Sequence, residues 1–546
     1  MRTVFLSIIG FFFLILCNAQ VAPDLYFIKF TDKNNNTFSV SQPDQFLSPK
    51  AMQRRAEQQI QVNETDLPVT QMYIDSLQSM GFEIRSTTKW LNGVVVYTTN
   101  TMMLSILSGI SFVESFVKCG DMVPSKKLDT ELKAPLKGTK ATDYGYGYPQ
   151  ISQVNGDYLH NLNFKGQGML IAVIDAGFEG ADTINCFDNL HAESRVVYTW
   201  DVVTRQPDVY GFHAHGTMVL SVMASDIPGE MVGTAPEAEY ALIRTEDGAT
   251  ENIVEEYYLA RGLEIADSIG ADVVNSSLGY SLFDITSNDH TWADLDGKTA
   301  PASYAAEIAA SKGMLIVVAA GNSGDDAWTK ITVPADADSI LSAGSVDING
   351  IHSSFSSQGP SADGRVKPDV VSMGQDTYVY STSGVLFQGS GTSFASPLLC
   401  GLSTCLWQSL PQMNPQEILQ YIRMSADQYN SPDALRGYGL PDFADALFLA
   451  VNYTVPDIKE EFFYDVYPNP FTDAFYLKLY TTDSQMINIS VYDITGRVVL
   501  NTNTYVNGWE VNKIKVNTDN TLSSGVYFIQ LTTESKRYTA IVTSQK

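Results

Sequence analysis

Between residues 21 and about 120, short apolar stretches alternate with amphipathic ones. The segment YFIKF (26–30) predicts a strand, and apolar positions at helical spacing predict helices over 49–59 and 69–80. Residues 82–88 and 93–98 predict two more strands around a turn that holds Asn92 and Gly93. Together they describe a small α+β module. Over 121–148 the periodicity dissolves into Lys, Asp, Thr, Gly and Tyr, the composition of an exposed linker that proteases reach easily. From about 150 to 450 apolar strands alternate with helices, which predicts an α/β domain with a doubly wound, mostly parallel sheet covered on both faces. Residues 250–269 carry apolar positions at helical spacing, stop at Gly270 and lead into DVVNSS (272–277). Pro301 then opens a helix at its first position, Gly313 ends it, and MLIVVAA (314–320) follows as a buried strand. Beyond a polar stretch at 452–461 the period drops to two. There AFYLKLY (474–480), INISVYDITGRVVL (487–500) and VYFIQLTT (526–533) predict a small all-β sandwich.

At 546 residues and 44% apolar content the chain can build several cores, and wholesale disorder is excluded. Arg2, the mostly apolar run of 14 residues from Val4 to Cys17, then Asn18 and Ala19 read as a signal peptide cut near Ala19. That run is too short to cross a bilayer as a free helix, and no later segment reaches the length a span needs. The expectation is therefore an exported protein with no transmembrane span. Cys17 as a lipid acceptor is the competing reading, but Leu16 stands where such signals carry a small residue. The organisation expected is signal peptide 1–19, α+β module and linker 20–145, α/β domain 146–455 and β-sandwich 456–546. Five cysteines are sparse for an exported chain of this size, so the fold must stand on its core. Cys400 and Cys405 on one helix are separated by about 7.5 Å of rise, too far for a direct bridge. One of them bonded to Cys186 and all three as buried thiols both remain open.

The net charge of −27 is unevenly placed. Residues 146–455 hold 12 basic and 38 acidic residues, against 14 and 13 before them and 8 and 10 after them. A surface that negative repels phosphate backbones and anionic lipids, so no nucleic acid and no electrostatic membrane docking is expected for the central domain.

Four segments carry candidate chemistry. MLIAVID (169–175) puts Asp175 at the carboxyl end of a buried strand, where open α/β sheets place their ligand crevice. FHAHGTMV (212–219) puts His215 at the start of a helix, and GSGTSFASP (389–397) puts Ser393 at the start of another, with Pro397 expected in its opening turn. VVAAGNSG (317–324) presents Asn322 just past a strand end. Singly each has a bland reading: Asp175 or Ser393 as helix caps, Asn322 as a turn residue beside glycine. Jointly, in the order Asp, His, Asn, Ser, they resemble the subtilisin-like serine peptidases over residues from about 150 to 450. VVNSSLG (273–279) and FSSQGPSADGRVKPDVVSMG (355–374) belong to the same resemblance, and Met218 departs from it where many members carry a second histidine. The resemblance implies Ser393 as nucleophile, His215 as general base, Asp175 as its orienter and Asn322 as oxyanion donor. It also implies that Ser277, Leu278 and Gly279 hold a peptide as an added strand.

His213 and His215 stand two apart, but no further ligands for a tetrahedral zinc are found locally. Asp294 and Asp296 before Gly297 hint at a calcium loop, although their spacing fails the EF-hand pattern and also suits a solvated turn. No cofactor is required, and a structural calcium stays open. YFIKF, DLPVTQMY (66–73) and KWLNGVVVY (89–97) resemble the propeptide of such enzymes, which implies a cut between Cys119 and Tyr148. VYPNPF (466–471), DITGRVV (493–499) and SGVYFIQL (524–531) resemble the C-terminal sorting domain of the type IX secretion system. The partners implied are protein or peptide substrates and the type IX machinery. The expectation is a secreted or cell-surface serine endopeptidase made as a precursor, exported through the periplasm. An inert surface binding protein on the same scaffold, or an esterase using the same triad, is the alternative.

Overall fold

Strands such as YFIKF and GVVVYT in the N-terminal module are apolar on successive residues because both faces of its sheet are covered. In the computed structural model, which describes residues 24–121, 143–454, 462–481, 483–508, 510–517, 522–533 and 536–545, this sheet is antiparallel with strand order β2-β3-β1-β4. Its strands are β1 (Asp24–Phe30), β2 (Glu83–Thr88), β3 (Gly93–Thr98) and β4 (Val113–Asp121), with helices α1 (Pro49–Glu57) and α2 (Gln71–Ser79). Along β1, Tyr26, Ile28 and Phe30 join Tyr73, Leu77, Val94 and Val96 in the module's own core. Leu25 and Phe27 point the other way and join a second core with Trp90, Val95 and residues of the next domain. The expected signal peptide, Cys17 and most of the 121–148 linker lie outside the described residues.

The α/β domain supplies β5 (Leu170–Asp175), β6 (Val196–Asp201), α3 (His215–Ala224), β7 (Glu239–Arg244), α4 (Val254–Ile269), β8 (Val273–Ser276), α5 (Pro301–Ser311), β9 (Leu315–Ala319), β10 (Leu341–Val346), β11 (Val370–Met373) and α6 (Thr392–Ser409). Its seven strands run parallel in the order β11-β10-β9-β8-β5-β7-β6. Every residue of β5, β8, β9, β10 and β11 is buried, and β5 up to Ile174 and the whole of β9 accordingly read as unbroken apolar runs. Gly270 ends α4 at φ +88 and Gly313 follows α5 at φ +87, so both glycines stand where an L side chain would be strained. Pro397 departs from expectation: it is the sixth residue of α6, not part of its opening turn. Cys119, Cys186, Cys400 and Cys405 are all buried free thiols.

This domain and the N-terminal module form one compact unit, Met1–Leu447. Phe27 stacks on Tyr257 of α4 with ring centroids 4.2 Å apart. A buried charge cluster lies farther along the same helix, at the carboxyl end of α4. Asp267 has no exposed surface, yet Arg54 and Arg55 of α1 each reach its Oδ1 at 2.7 Å and Lys89 reaches Oδ2 at 3.1 Å. Asp66 completes the cluster, accepting from Arg55 at 3.1 Å and from Lys312 at 3.0 Å. Burial alone would raise the Asp267 pKa, but the charges of Lys89, Arg54 and Arg55 hold it well below the usual carboxylate range.

The second unit, Phe448–Lys546, is built of β-strands beyond the end of the helix Phe443–Thr454. It has a three-stranded sheet β12-β13-β16 and a four-stranded sheet β15-β14-β17-β18, both antiparallel. The strands are β12 (Phe462–Tyr467), β13 (Ala474–Thr481), β14 (Gln485–Tyr492), β15 (Val498–Val506), β16 (Glu510–Asn517), β17 (Gly525–Thr532) and β18 (Arg537–Ser544). Phe475, Leu477, Ile487, Ile489, Ile529 and Leu531 fill its core. INISVYDITGRVVL spans parts of two strands, β14 and β15. Asp493 Oδ1 accepts from the Thr495 and Arg497 backbone N–H groups and Gly496 takes φ +81, which turns the chain between β14 and β15.

Two stability predictions follow from the buried ionisable groups of the first unit. Asp267→Asn leaves three cations around a neutral amide, so the full chain loses about 3–5 kcal/mol in urea unfolding; a loss below about 1 kcal/mol would contradict the cluster's role. His160 is wedged between the Thr234 carbonyl (3.0 Å) and the Tyr144 hydroxyl (2.9 Å), and burial pushes its pKa down to about 4. The unfolded chain then binds a proton that the folded chain refuses. The stability involved is complete above about pH 6.5, and about 3 kcal/mol is lost as pH falls toward the folded pKa. His160→Gln should flatten that part of the pH–stability curve.

Candidate active site

The carboxyl ends of β5, β8 and β9 and the amino ends of α3 and α6 meet along one edge of the parallel sheet, the side where α/β sheets bind ligands. Asp175 ends β5 with no exposed surface. Its Oδ1 lies 2.8 Å from His215 Nδ1 and accepts the Ala176 N–H at 2.7 Å. His215 reaches it because α3 starts hard against the turn after Asp175: Gly216 N–H donates to the Gly177 carbonyl at 3.0 Å, and a Cβ on Gly216 would collide with that same oxygen. His213 accepts the His215 backbone N–H at its Nδ1, 3.1 Å away, and so steadies the start of the helix. Met218 lies buried one turn on.

Ser393 is the second residue of α6 and 7% exposed. The residue before the helix, Gly391, leaves open the space in front of it. A Cβ there would sit 2.9 Å from Ser393 Oγ and 3.5 Å from Asn322 Nδ2, so hydroxyl and amide border one spot free of side-chain atoms. Asn322 is exposed, and its orientation is fixed from behind. Its Oδ1 accepts the Thr392 N–H at 2.8 Å and the Thr392 hydroxyl at 2.9 Å, which turns the amide nitrogen toward the spot. The His215 ring lies 6.3 Å, centroid to centroid, from the ring of Phe394, the neighbour of Ser393.

Pro397 has a structural consequence at Ser393. It has no N–H to give the carbonyl four residues back, which is that of Ser393. That oxygen accepts instead from Ser277 Oγ at 2.9 Å. Ser277 Oγ in turn accepts from Asn275 Nδ2 (3.0 Å), and Asn275 Oδ1 accepts from Ser396 Oγ (2.8 Å). The chain of bonds ties the first turns of α6 to the end of β8. Thr392, Asn275 and Ser396 were not singled out from the sequence. Asn275 carried a usable signal, because an amide inside the apolar strand VVNSS must find buried partners.

Ser277 is buried, Leu278 partly buried and Gly279 exposed; the next pairing along the chain is Tyr280 with Val333. The stretch thus leaves the sheet beside Ser393. The two aspartates of the 291–299 loop spend their oxygens locally. Asp294 Oδ2 accepts from the Thr291 N–H and hydroxyl, and Asp296 accepts from Lys298 N–H, Thr299 N–H and the Thr299 hydroxyl. Among the described residues no group of three His, Cys, Asp or Glu side chains is placed to hold a metal, and no helix is long and apolar enough to cross a membrane.

Residues 25–133 match the Peptidase S8 propeptide domain of Bacteroidota, and residues 465–543 match the Secretion system C-terminal sorting domain, which marks the chain for export to the cell surface or medium. Serine protease AprX of Bacillus subtilis is 28% identical over 298 residues, covering 49% of this chain and 63% of AprX, so the chain spans less than two thirds of that relative. Subtilisin Savinase of Lederbergia lenta is 28% identical over 294 residues, covering 53% of this chain and 94% of Savinase. The crystal structure of MycP1 from Mycobacterium smegmatis aligns at 22% identity and a TM-score of 0.46 over 59% of this chain and 90% of MycP1. Residues 166–440, half of the chain and the whole of the parallel sheet, match the Subtilase family, and this chain belongs to it.

Proposed function

We propose that this protein is a secreted serine endopeptidase that cleaves peptide bonds through an acyl-enzyme. The observation that carries the reading is the 2.8 Å contact between buried Asp175 and His215, at the sheet edge where Ser393 Oγ and the Asn322 amide border one open spot. A serine hydroxyl is a weak nucleophile near neutral pH and needs a base. With Asp175 accepting the Nδ1 proton, His215 keeps a lone pair on Nε2 for the Ser393 proton. As Oγ attacks the peptide carbonyl, His215 becomes an imidazolium stabilised by Asp175, and it then protonates the departing amine. Water hydrolyses the acyl-Ser393 ester by the same route in reverse.

Negative charge gathers on the former carbonyl oxygen in the tetrahedral intermediate. The donors that serve it are Asn322 Nδ2, the Ser393 backbone N–H and the positive end of α6, all fixed before the substrate arrives. The bonds from Thr392 to Asn322 and from Ser277 to the Ser393 carbonyl supply that preorganisation. Ser277, Leu278 and Gly279 would hold the substrate backbone as an added strand. The N-terminal module would act as an inhibitory propeptide until the linker is cut, and the all-β unit as the export signal read by the type IX machinery. No step calls for a cofactor.

In the processed protein, Ser393→Ala should abolish casein hydrolysis and labelling by a fluorophosphonate while leaving the fold intact. Equal labelling of both proteins would remove Ser393 as nucleophile, and ester turnover without any cut peptide would favour an esterase. Asn322→Ala should lower kcat by about 10²- to 10³-fold with little change in KM, a magnitude carried over from the corresponding change in subtilisin. Because His215 must be neutral to accept a proton, kcat/KM should fall on the acid side. A profile flat down to pH 4 would be incompatible with that role.

A further inference from the structure

Three neighbouring strands end in charged residues side by side. Arg244 at the end of β7 is the register partner of Asp175 on β5 and of Asp201 on β6. Arg244 is 4% exposed and Asp201 fully buried, so their hydrogen-bonding capacity has to be used internally. Arg244 Nε donates to the Ala176 carbonyl at 3.1 Å and Nη1 donates to Asp201 Oδ2 at 2.7 Å. Asp201 is itself fixed by the Val203 N–H (2.9 Å), the Thr204 N–H (3.1 Å) and the Thr204 hydroxyl (2.6 Å). One edge of the guanidinium is thus anchored to a rigid carboxylate and the other to the residue that follows Asp175.

The flat face of the guanidinium is covered from the other loop. Its Cζ lies 3.9 Å from the ring centroid of Phe212, three residues before His215. Phe212 is 56% exposed and takes φ +71, a backbone conformation that bulky residues rarely adopt. An exposed aromatic ring on a strained backbone is a poor bargain for packing alone. Laid on a cation it keeps water from the guanidinium and gains the cation–π attraction. The two loops approach closely at this point. A Cβ on Gly177 would be 2.7 Å from His213 N and 3.2 Å from Phe212 Cβ, and Glu179 N–H donates to the His213 carbonyl at 3.2 Å. Asp175 depends on this support, since its buried Oδ2 has no hydrogen-bond partner among the described residues. Its direction is set by the two contacts to Oδ1 and by the turn that Arg244 holds.

We propose that Arg244 is a positioning residue for the Asp175–His215 pair, tying the turn after the acid to the loop before the base, with Phe212 as its shield. The inference rests on the serine-peptidase reading. Arg244 acts through the aim of the imidazole, so its loss falls on kcat rather than on KM. A displacement of about 1 Å in such a constellation costs on the order of 10²-fold in rate.

The test compares Arg244→Gln, Arg244→Lys, Phe212→Leu and Phe212→Tyr in the processed protein made from the full chain. The readouts are kcat and KM on a peptide anilide, the rate of fluorophosphonate labelling, Tm, and the low-field proton resonance of the His215 Nδ1–H. Arg244→Gln should lower kcat and labelling about 10- to 100-fold with KM within about twofold, and should broaden or shift the Nδ1 proton. Arg244→Lys, which keeps the charge, should recover part of the loss. Phe212→Leu should cost about 3- to 10-fold in kcat at an unchanged Tm, whereas Phe212→Tyr keeps the ring and stays at the wild-type rate. A kcat for Arg244→Gln within twofold of wild type would overturn the proposal, as would a loss that tracks Tm alone or that the lysine fails to reduce. If Arg244→Gln does not fold, the phenylalanine pair decides: Leu and Tyr variants with equal kcat overturn it. Wild-type protein without Ser393-dependent labelling would refute the peptidase reading instead, and the Nδ1 proton would still report whether Arg244 orients the pair.

Discussion

Asp175 is a carboxylate without exposed surface, set at the end of a strand whose other residues are buried too. Water cannot solvate it, so the protein must bring donors, and that requirement organises the edge of the sheet. The Ala176 N–H is the local donor and His215 the distant one. To deliver an imidazole, α3 must begin against the turn after β5, which is possible only because Gly216 carries no Cβ. The same logic recurs around Ser393. The proline inside α6 strands the Ser393 carbonyl, Ser277 answers it, and Asn275 and Ser396 hold Ser277 in place. The buried Ser393 carbonyl and the Asn275 amide oxygen are each satisfied from another segment, so α6 and the end of β8 cannot drift independently.

The N-terminal module meets the central domain under a comparable constraint, expressed in charge. The central domain is strongly acidic, whereas the module is close to neutral overall. Its cations are concentrated where they matter: Arg54, Arg55 and Lys89 converge on Asp267, and Arg54 also donates to the backbone carbonyls of Asp267 and Ala271 at the negative end of α4. Apolar stacking such as Phe27 on Tyr257 supplies contact area, and the ion cluster supplies register. Buried ions contribute little net stability but make a misplaced partner costly.

Punctuation residues made much of the architecture legible. Gly270, Pro301 and Gly313 mark the ends of α4 and α5 because their backbone limits act locally. Unbroken apolar runs at 170–174 and 315–319 identify buried parallel strands because both faces must be covered. The stretch 487–500 was harder: its alternation looks continuous, and the turn at Asp493–Gly496 rests on side-chain bonds to the backbone. Pro397 falls beyond the opening turn because α6 starts at Thr392, directly after Gly391, and its first turn is complete before residue 397.

The sequence by itself determined where strands stop and helices start, and so put Asp175, His215, Asn322 and Ser393 at element ends in a telling order. It did so because those features depend on neighbours a few residues away. Only the tertiary structure decided which groups face one another: His215 finds Asp175 across 40 positions, and Ser396 finds Asn275 across 121. Arg244 meets Asp175, Asp201 and Phe212 only because β5, β7 and β6 are neighbours in the sheet. Strand order is a global outcome of packing, so no local pattern encodes it, and the residues that aim the chemistry become visible only when the sheet is formed.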